Sequence, residues 1–327
     1  MKKNIILTVD VEHSIGGAFK NPNLCPVGNE KRIFGKINGK EYGLPLIIDI
    51  AREYGFSLSF FVEVLNHYFF GTGETKIVCD YLLHRNQDVQ LHVHPNYQQF
   101  KDGNRGAVRF SDLIRNYSDT EQFELLEHAR NILIQHGVCN PVAFRAGCYG
   151  ASQATLHALE KAGFLMDSSF SRAFSDSSCV FNDPFINDVK QINGIWEFPV
   201  TNFIENCFAR SRRYMPLDIN GVSFREIRYV LENTDFQFYT VILHSFSFIK
   251  ALDIQYVRAR PRKKIIQRYR DLIRYLGEND SKYQVITFKD LAENQIFRQL
   301  PPRNHIFPEM PAPLTFARIG EQLYDLI

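Results

Sequence analysis

The sequence lacks the marks of several protein classes. Its cysteines, at 25, 79, 139, 148, 179 and 207, never fall in a CxxC spacing. That argues against a zinc ribbon or a redox motif and is read as free thiols in a reducing compartment. Long hydrophobic runs are missing too. The opening stretch MKKNIILTVDVEH stops being apolar at Asp10, too early for a signal-peptide core. Nowhere do apolar residues persist for the roughly 20 positions of a membrane helix. Charge of one sign is also scarce, with a net value of +2, so nucleic acid is not expected as a partner. Tryptophan is limited to Trp196. The expectation is a cytoplasmic protein.

What remains is an ordinary globular composition, with 45% apolar and 23% charged residues over 327 positions, enough to bury a large core. Strand-like segments at 4–10, 57–62, 88–94, 142–146, 164–169, 195–201, 238–245 and 283–288 alternate with helical patterns at 44–54, 119–136, 152–162, 223–233 and 261–277. The 119–136 helix is the clearest. Ser118 and Glu121 have capping-box spacing, apolar residues recur at 125, 126, 129, 132 and 133, and Gly137 closes it. Strands separated by helices predict parallel pairing through right-handed crossovers. The fold class expected is α/β, a distorted (β/α)7-8 barrel in a single domain over 1–298. A Pro-rich C-terminal arm, 299–327, would pack on the barrel or on a second subunit. The long loops 13–43 and 97–117 break the rhythm, and loops of that length in a compact domain are often functional.

Polar residues fall at the ends of these strands: Asp10 and Glu12 on the first, Glu63 on the second, His92 and His94 on the third, then Arg145, Asp167 and His244. In parallel α/β barrels that end carries the chemistry. Asp10 and Glu12 are two apart in extended chain and share a face, as do His92 and His94. Two imidazoles and a carboxylate, with a fourth position open, are a common catalytic zinc set. Residues 258–274 are strongly basic, with Asp271 the one acid. They form either a solvated face or a contact for a lipid carrier or membrane surface.

In this order the motifs resemble the polysaccharide deacetylase family, the NodB-homology or family 4 carbohydrate esterases, over about 5–290. TVDVE (8–12), LHVHP (91–95), FRAGCYG (144–150), DSS with IWEFP (167–169, 195–199) and VILHSFSF (241–248) stand where that family has its five motifs. The wording is closest to a branch of lipopolysaccharide and surface-glycan biosynthesis. Two departures are visible. Val11 separates the two acids, which are adjacent in the family, and only Val93 separates the histidines.

The resemblance implies a deacetylase that removes N-acetyl or similar acyl groups from a carbohydrate substrate, using a divalent metal such as Zn2+. Glu12, His92 and His94 would be the metal ligands, Asp10 the base, Arg145 its partner and His244 the acid. Val11 leaves the roles of Asp10 and Glu12 exchangeable. A backbone N–H near Cys148 or Tyr149 would assist at the oxyanion. Tyr149, Trp196, Glu63 and Asp167 are candidates for substrate binding, although Trp196 fits the core equally well and Asp167 fits a turn cap. Three alternatives stay open. They are a metal-independent amidase on the same fold, a non-catalytic glycan-binding protein, and a different metal-dependent phosphoesterase or amidohydrolase barrel.

Overall fold

The computed structural model describes residues 2–101, 110–206, 212–299 and 305–326. Cys207, part of the 97–117 loop, and Pro301 and Pro302 of the arm lie outside the described residues.

Seven strands run parallel in one curled sheet: β1 (Lys3–Val11), β2 (Ser59–Glu63), β3 (Asp88–Val93), β4 (Ala143–Ala146), β5 (Met166–Asp167), β7 (Ile195–Glu197) and β10 (Phe238–His244). Their order is β10-β1-β2-β3-β4-β5-β7, with β6 (Lys190–Ile192) antiparallel on the outer edge of β7. Two single bridges reach β10, Val200 just after β7 to Thr240, and Asp218 from farther along the chain to Ile242. The sheet is thus a curled half-barrel whose two ends meet by isolated bridges rather than a full ladder.

The helices expected from periodicity are present. They are α1 (Leu44–Arg52), α3 (Asp119–Gln135), α4 (Gln153–Lys161), α5 (Phe224–Asn233) and α6 (Lys263–Glu278). Ser118 caps α3 and Glu121 reaches back to it, as its sequence predicts. Helix α2 (Thr72–Leu83) was not anticipated, because its apolar stripe is weak and it opens on glycines.

Alternation along each strand sorts the core into two layers. On β1, Ile5, Leu7, Val9 and Val11 face outward and pack under the helices, against Ile47 of α1, Leu82 of α2, Leu126 of α3 and Leu272 of α6. Each such residue contributes roughly 1.5–3 kcal/mol by leaving water. The intervening positions face inward. Lowest among them is a second apolar cluster built on Ile6, Phe61, Ala143, Met166 and Phe238. It is plugged by Phe288 and Leu291 of α7 (Phe288–Asn294) and by Phe297. Above this plug the inward positions become polar and stay buried: Thr8, Asp10, Gln90, His92, Arg145, Ser168 and Thr240.

Two expectations are corrected. The 283–288 segment is not a further barrel strand. β11 (Tyr283–Val285) pairs only with Lys3, Asn4 and Ile5 at the start of β1, and the chain then enters α7. Nor is all pairing parallel. β8 (Asn202–Asn206) and β9 (Arg212–Pro216) form an antiparallel pair, and β12 (Glu309–Met310), from the arm, joins β8. The arm then forms α8 (Ala312–Leu326), whose Arg318 pairs with both Glu205 and Glu226.

Candidate active site

Asp10 and Glu12 leave the C-terminal end of β1 on the same side and meet different partners. Asp10 Oδ1 accepts from Arg145 Nη1 at 2.7 Å, and its Oδ2 lies 4.0 Å from His244 Nε2. The in-register pairing of Asp10 with His244 across β1 and β10 brings those two side chains together. Arg145 is fully buried, its Nε and Nη2 donate to Ser168 O and Oγ, and its Nη1 also reaches Thr8 Oγ1 at 2.9 Å. Phe61 lies beneath its guanidinium at 4.3 Å. The charge is therefore held in one orientation, with Asp10 as its counter-ion.

Glu12 faces the imidazole pair. Its Oε2 is 2.6 Å from His94 Nε2 and 3.6 Å from His92 Nε2. His92 Nδ1 donates to the carbonyl of Arg145 at 2.8 Å, which fixes the tautomer and turns Nε2 toward Glu12. His94 Nδ1 meets Asp112 Oδ1 at 2.9 Å. Burial works against charge on His94, but Asp112 and Glu12 outweigh it and hold the imidazole well above its ordinary pKa. Burial likewise pushes the Glu12 carboxyl up, yet His94, His92 and His244 hold it well below the usual range.

Glu12, His92 and His94 can each offer one ligand atom, all within 4.8 Å of one another, and His94, Asp112 and Cys148 form an overlapping group. The first set fits a divalent ion. It has two imidazole nitrogens and one carboxylate, and both Nδ1 atoms are occupied by oxygen acceptors that leave the Nε2 atoms to coordinate. A dication there would displace the proton His94 now shares with Glu12.

The turn after β4 shapes this wall. Cys148 and Tyr149 both adopt left-handed backbone, with φ of 52° and 56°. Such conformations cost roughly 1–3 kcal/mol each in non-glycine residues and concentrate at functional sites. Gly147 precedes them, and a Cβ there would come within 2.6 Å of His94 Nδ1. The glycine is thus what lets the imidazole lie against the turn. Tyr149 stacks on Phe174 at 4.7 Å. Burial raises its pKa, and the charge of Asp10 raises it further, so the phenol stands close to the acids.

Three residues expected at the opening are elsewhere. Trp196 points into the lower plug and packs on Phe297 at 5.0 Å. It sits two positions before Phe198, another residue of that cluster, so alternation puts it among core residues rather than beside sugar. Asp167 lies between the inward-facing Met166 and Ser168 and so faces outward. There it neighbours Glu197, its partner across β5 and β7, and burial raises the pKa of both carboxyls. Glu63 does face inward, but its two oxygens accept the amides of Leu65 and Asn66 at 2.6 and 2.9 Å, so it ties its own turn. Burial pushes its carboxyl up to about 8.

Two residues not singled out from sequence complete the site. Asp112, from the 97–117 loop, holds His94. Arg32, from the 13–43 loop, donates Nη2 to Glu12 Oε1 at 3.2 Å, lies over Phe246 with 3.1 Å to the ring centre, and contacts Tyr256. Only the unusual length of both loops pointed to them.

No protein-family model matches this sequence, and no curated protein matches it. Solved structures do. A protein of Mycobacterium smegmatis provisionally described as a polysaccharide deacetylase is similar with a TM-score of 0.55, over 94% of this chain and 95% of that one, at 13% identity. A 4-alpha-glucanotransferase from Thermococcus litoralis is similar with a TM-score of 0.52 at 11% identity, over 99% of this chain but 47% of the other, so this chain spans about half its length. A family 4 carbohydrate esterase from Streptomyces lividans is also matched, at 10% identity over 87% of this chain and 91% of that one, but its TM-score of 0.43 adds no weight. At such identities the likeness is one of fold. The chain is an α/β protein with a curled parallel sheet of the kind seen in the M. smegmatis structure. The two proteins are described differently, so the chemistry has to be read from the side chains.

Proposed function

We propose that the chain is a metal-dependent hydrolase that removes an acetyl or similar acyl group from the nitrogen of a sugar, in a surface polysaccharide or its precursor. The observation that carries this reading is the meeting of two sets at the C-terminal end of β1: Glu12, His92 and His94 with ligand atoms within 4.8 Å, and Asp10 4.0 Å from His244. The motif wording, which resembles the lipopolysaccharide and surface-glycan branch, supports the substrate class.

A divalent ion at Glu12, His92 and His94, with Zn2+ favoured by the two imidazoles, would supply a Lewis acid to the amide carbonyl and lower the pKa of water. Asp10 takes a proton from the attacking water at Oδ2, since Oδ1 is engaged by Arg145. Arg145 keeps Asp10 aimed. The water oxygen bonds to the carbonyl carbon, the C–N bond breaks, and His244 Nε2 gives its proton to the leaving amine. The products are a carboxylate and the free amino sugar. In this reading Tyr149, beside the Asp10 carboxylate, touches the sugar. No helix among the described residues is long and apolar enough to cross a membrane.

A metal-independent amidase is the second reading, favoured by the Arg32–Glu12 ion pair, which already gives that carboxylate a cation. Turnover of N-acetylhexosamine substrates before and after stripping the protein with a chelator separates the two. The metal reading expects activity to vanish and return with Zn2+. Undiminished turnover in fully metal-free protein would transfer the assignment to the amidase.

A further inference from the structure

His244 lines a cavity of about 800 Å3 whose described lining does not include Asp10. That is within the ~300–1,000 Å3 of small-molecule sites. Its apolar lining is Phe246, Ile249, Ala251 and Ile265, and its charged lining is Lys250, Arg262, Lys264, Arg268 and Glu321. Among the described lining residues, four are cations and one is a carboxylate. Arg268 is 6% exposed and fixed by a 2.6 Å bond to the carbonyl of Ile219, with Glu321 at 3.5 Å. Arg262 is oriented by Asn220 Oδ1 at 2.9 Å. These bonds aim the guanidinium groups along the wall.

The start of α6 opens on the same space. Arg262 occupies its cap position with no side-chain cap bond, Lys263 and Lys264 fill its first turn, and no acid is present there. A helix stabilised for its own sake carries the opposite sign at this end, since each cation there costs roughly 0.3–1 kcal/mol against the dipole. A bound anion offsets that cost and uses the first-turn amides.

We infer that this cavity binds a phosphate or diphosphate group borne by the sugar whose acyl nitrogen reaches His244. The inference rests on the deacylase reading for the identity of the sugar, but the anion site is defined by its own residues. The apolar part of the wall takes whatever the phosphate is linked to, either a nucleoside or the first units of a polyprenyl chain.

The test compares kcat/KM on N-acetylglucosamine, on its nucleoside-diphosphate conjugate, and on its polyprenyl diphosphate in detergent micelles. Wild type, Lys264→Gln and Arg262→Gln are used, each checked for folding by its thermal transition. Preference for at least one phosphorylated substrate is expected, and the preferred conjugate names the source. In either variant that preference should shrink roughly tenfold or more, equivalent to one lost charge-assisted contact. It should also weaken between ~50 and ~500 mM salt. Equal use of the uncharged sugar, or a preference unmoved in both variants, overturns the inference. Pyrophosphate binding by calorimetry gives an independent arm. Binding by wild type that is weakened in Lys264→Gln upholds the anion site even if no acylated sugar is turned over, an outcome that would sink the deacylase reading alone. Binding unchanged in both variants counts against the cavity.

Discussion

Arg145 holds one oxygen of Asp10 at 2.7 Å, and the other oxygen of the same carboxylate lies 4.0 Å from His244. One side of Asp10 is engaged in orientation and the other is left to the substrate. The arrangement makes the ion pair a part of both stability and chemistry. Asp10→Asn leaves a fully buried guanidinium without its counter-ion, which should cost about 3–5 kcal/mol in urea denaturation. Turnover should fall about 10²–10⁴-fold. Arg145→Lys should also lower turnover, because an ammonium cannot serve Ser168 and Asp10 in one plane. Asp10→Asn with wild-type turnover would remove Asp10 from the base role.

Glu12, His92 and His94 should hold one equivalent of Zn2+. Glu12→Gln, His92→Ala and His94→Ala are each expected to weaken binding by about two orders of magnitude, read by competition with a chromogenic chelator. Three variants that bind Zn2+ as tightly as wild type would rule out this set.

His94 depends on two residues that coordinate nothing in that set. Asp112→Asn should lower metal affinity about 10–100-fold by loosening the imidazole. Gly147→Ala should displace the ring outright, since the new methyl would come within 2.6 Å of Nδ1. Metal affinity is the readout for both. A Gly147→Ala protein that binds and turns over normally would show that His94 has another resting place.

His244 is not one of the three grouped ligand residues, so His244→Gln should reduce kcat by about 10²–10⁴ while leaving Zn2+ affinity near wild type. A matching loss of metal would place it among the ligands instead.

Stability should respond to acid at a buried position below the site. Asp88 is enclosed on β3, and burial raises its pKa to about 6 against the hydrogen bonds it accepts from Ser59 and Gln90. With the folded value above the unfolded one, the protonated form is favoured by folding. That contribution is full below about pH 4 and is lost as pH rises through about 6, an effect on the order of 2–3 kcal/mol. Asp88→Asn should flatten that part of the stability curve. An unchanged curve in the variant would assign the slope to other groups.

Much of this was legible because parallel strands announce themselves. An apolar run ending in a charge has few explanations, and Asp10, His92, Arg145 and His244 all follow that rule. What misled was treating every polar or aromatic residue near a strand end as facing the opening. Asp167 and Trp196 are misplaced by that shortcut, and counting alternation from Ser168 and Phe198 would have turned them the right way. Glu63 passes the alternation test and is still absent from the opening, because amides two and three residues on claim it. Arg32 and Asp112 could not be read at all. They reach the site through loop paths that no periodicity encodes, and long-range contacts of that sort leave no trace in local pattern.

β1 pairs with β10 over Asn4–Asp10, with β2 over Thr8–Val11 and with β11 over Lys3–Ile5, whereas Arg32 ends the single helical turn Asn29–Arg32 and Asp112 lies on a loop. Partial melting should therefore strip the guests of Glu12 and His94 before it disturbs the acids themselves. Amide protons of Val9 and Asp10 should be among the last in the chain to exchange with solvent. A lineage of such proteins could rewrite its loops to retune ion affinity or substrate choice while the strand that does the chemistry stays fixed.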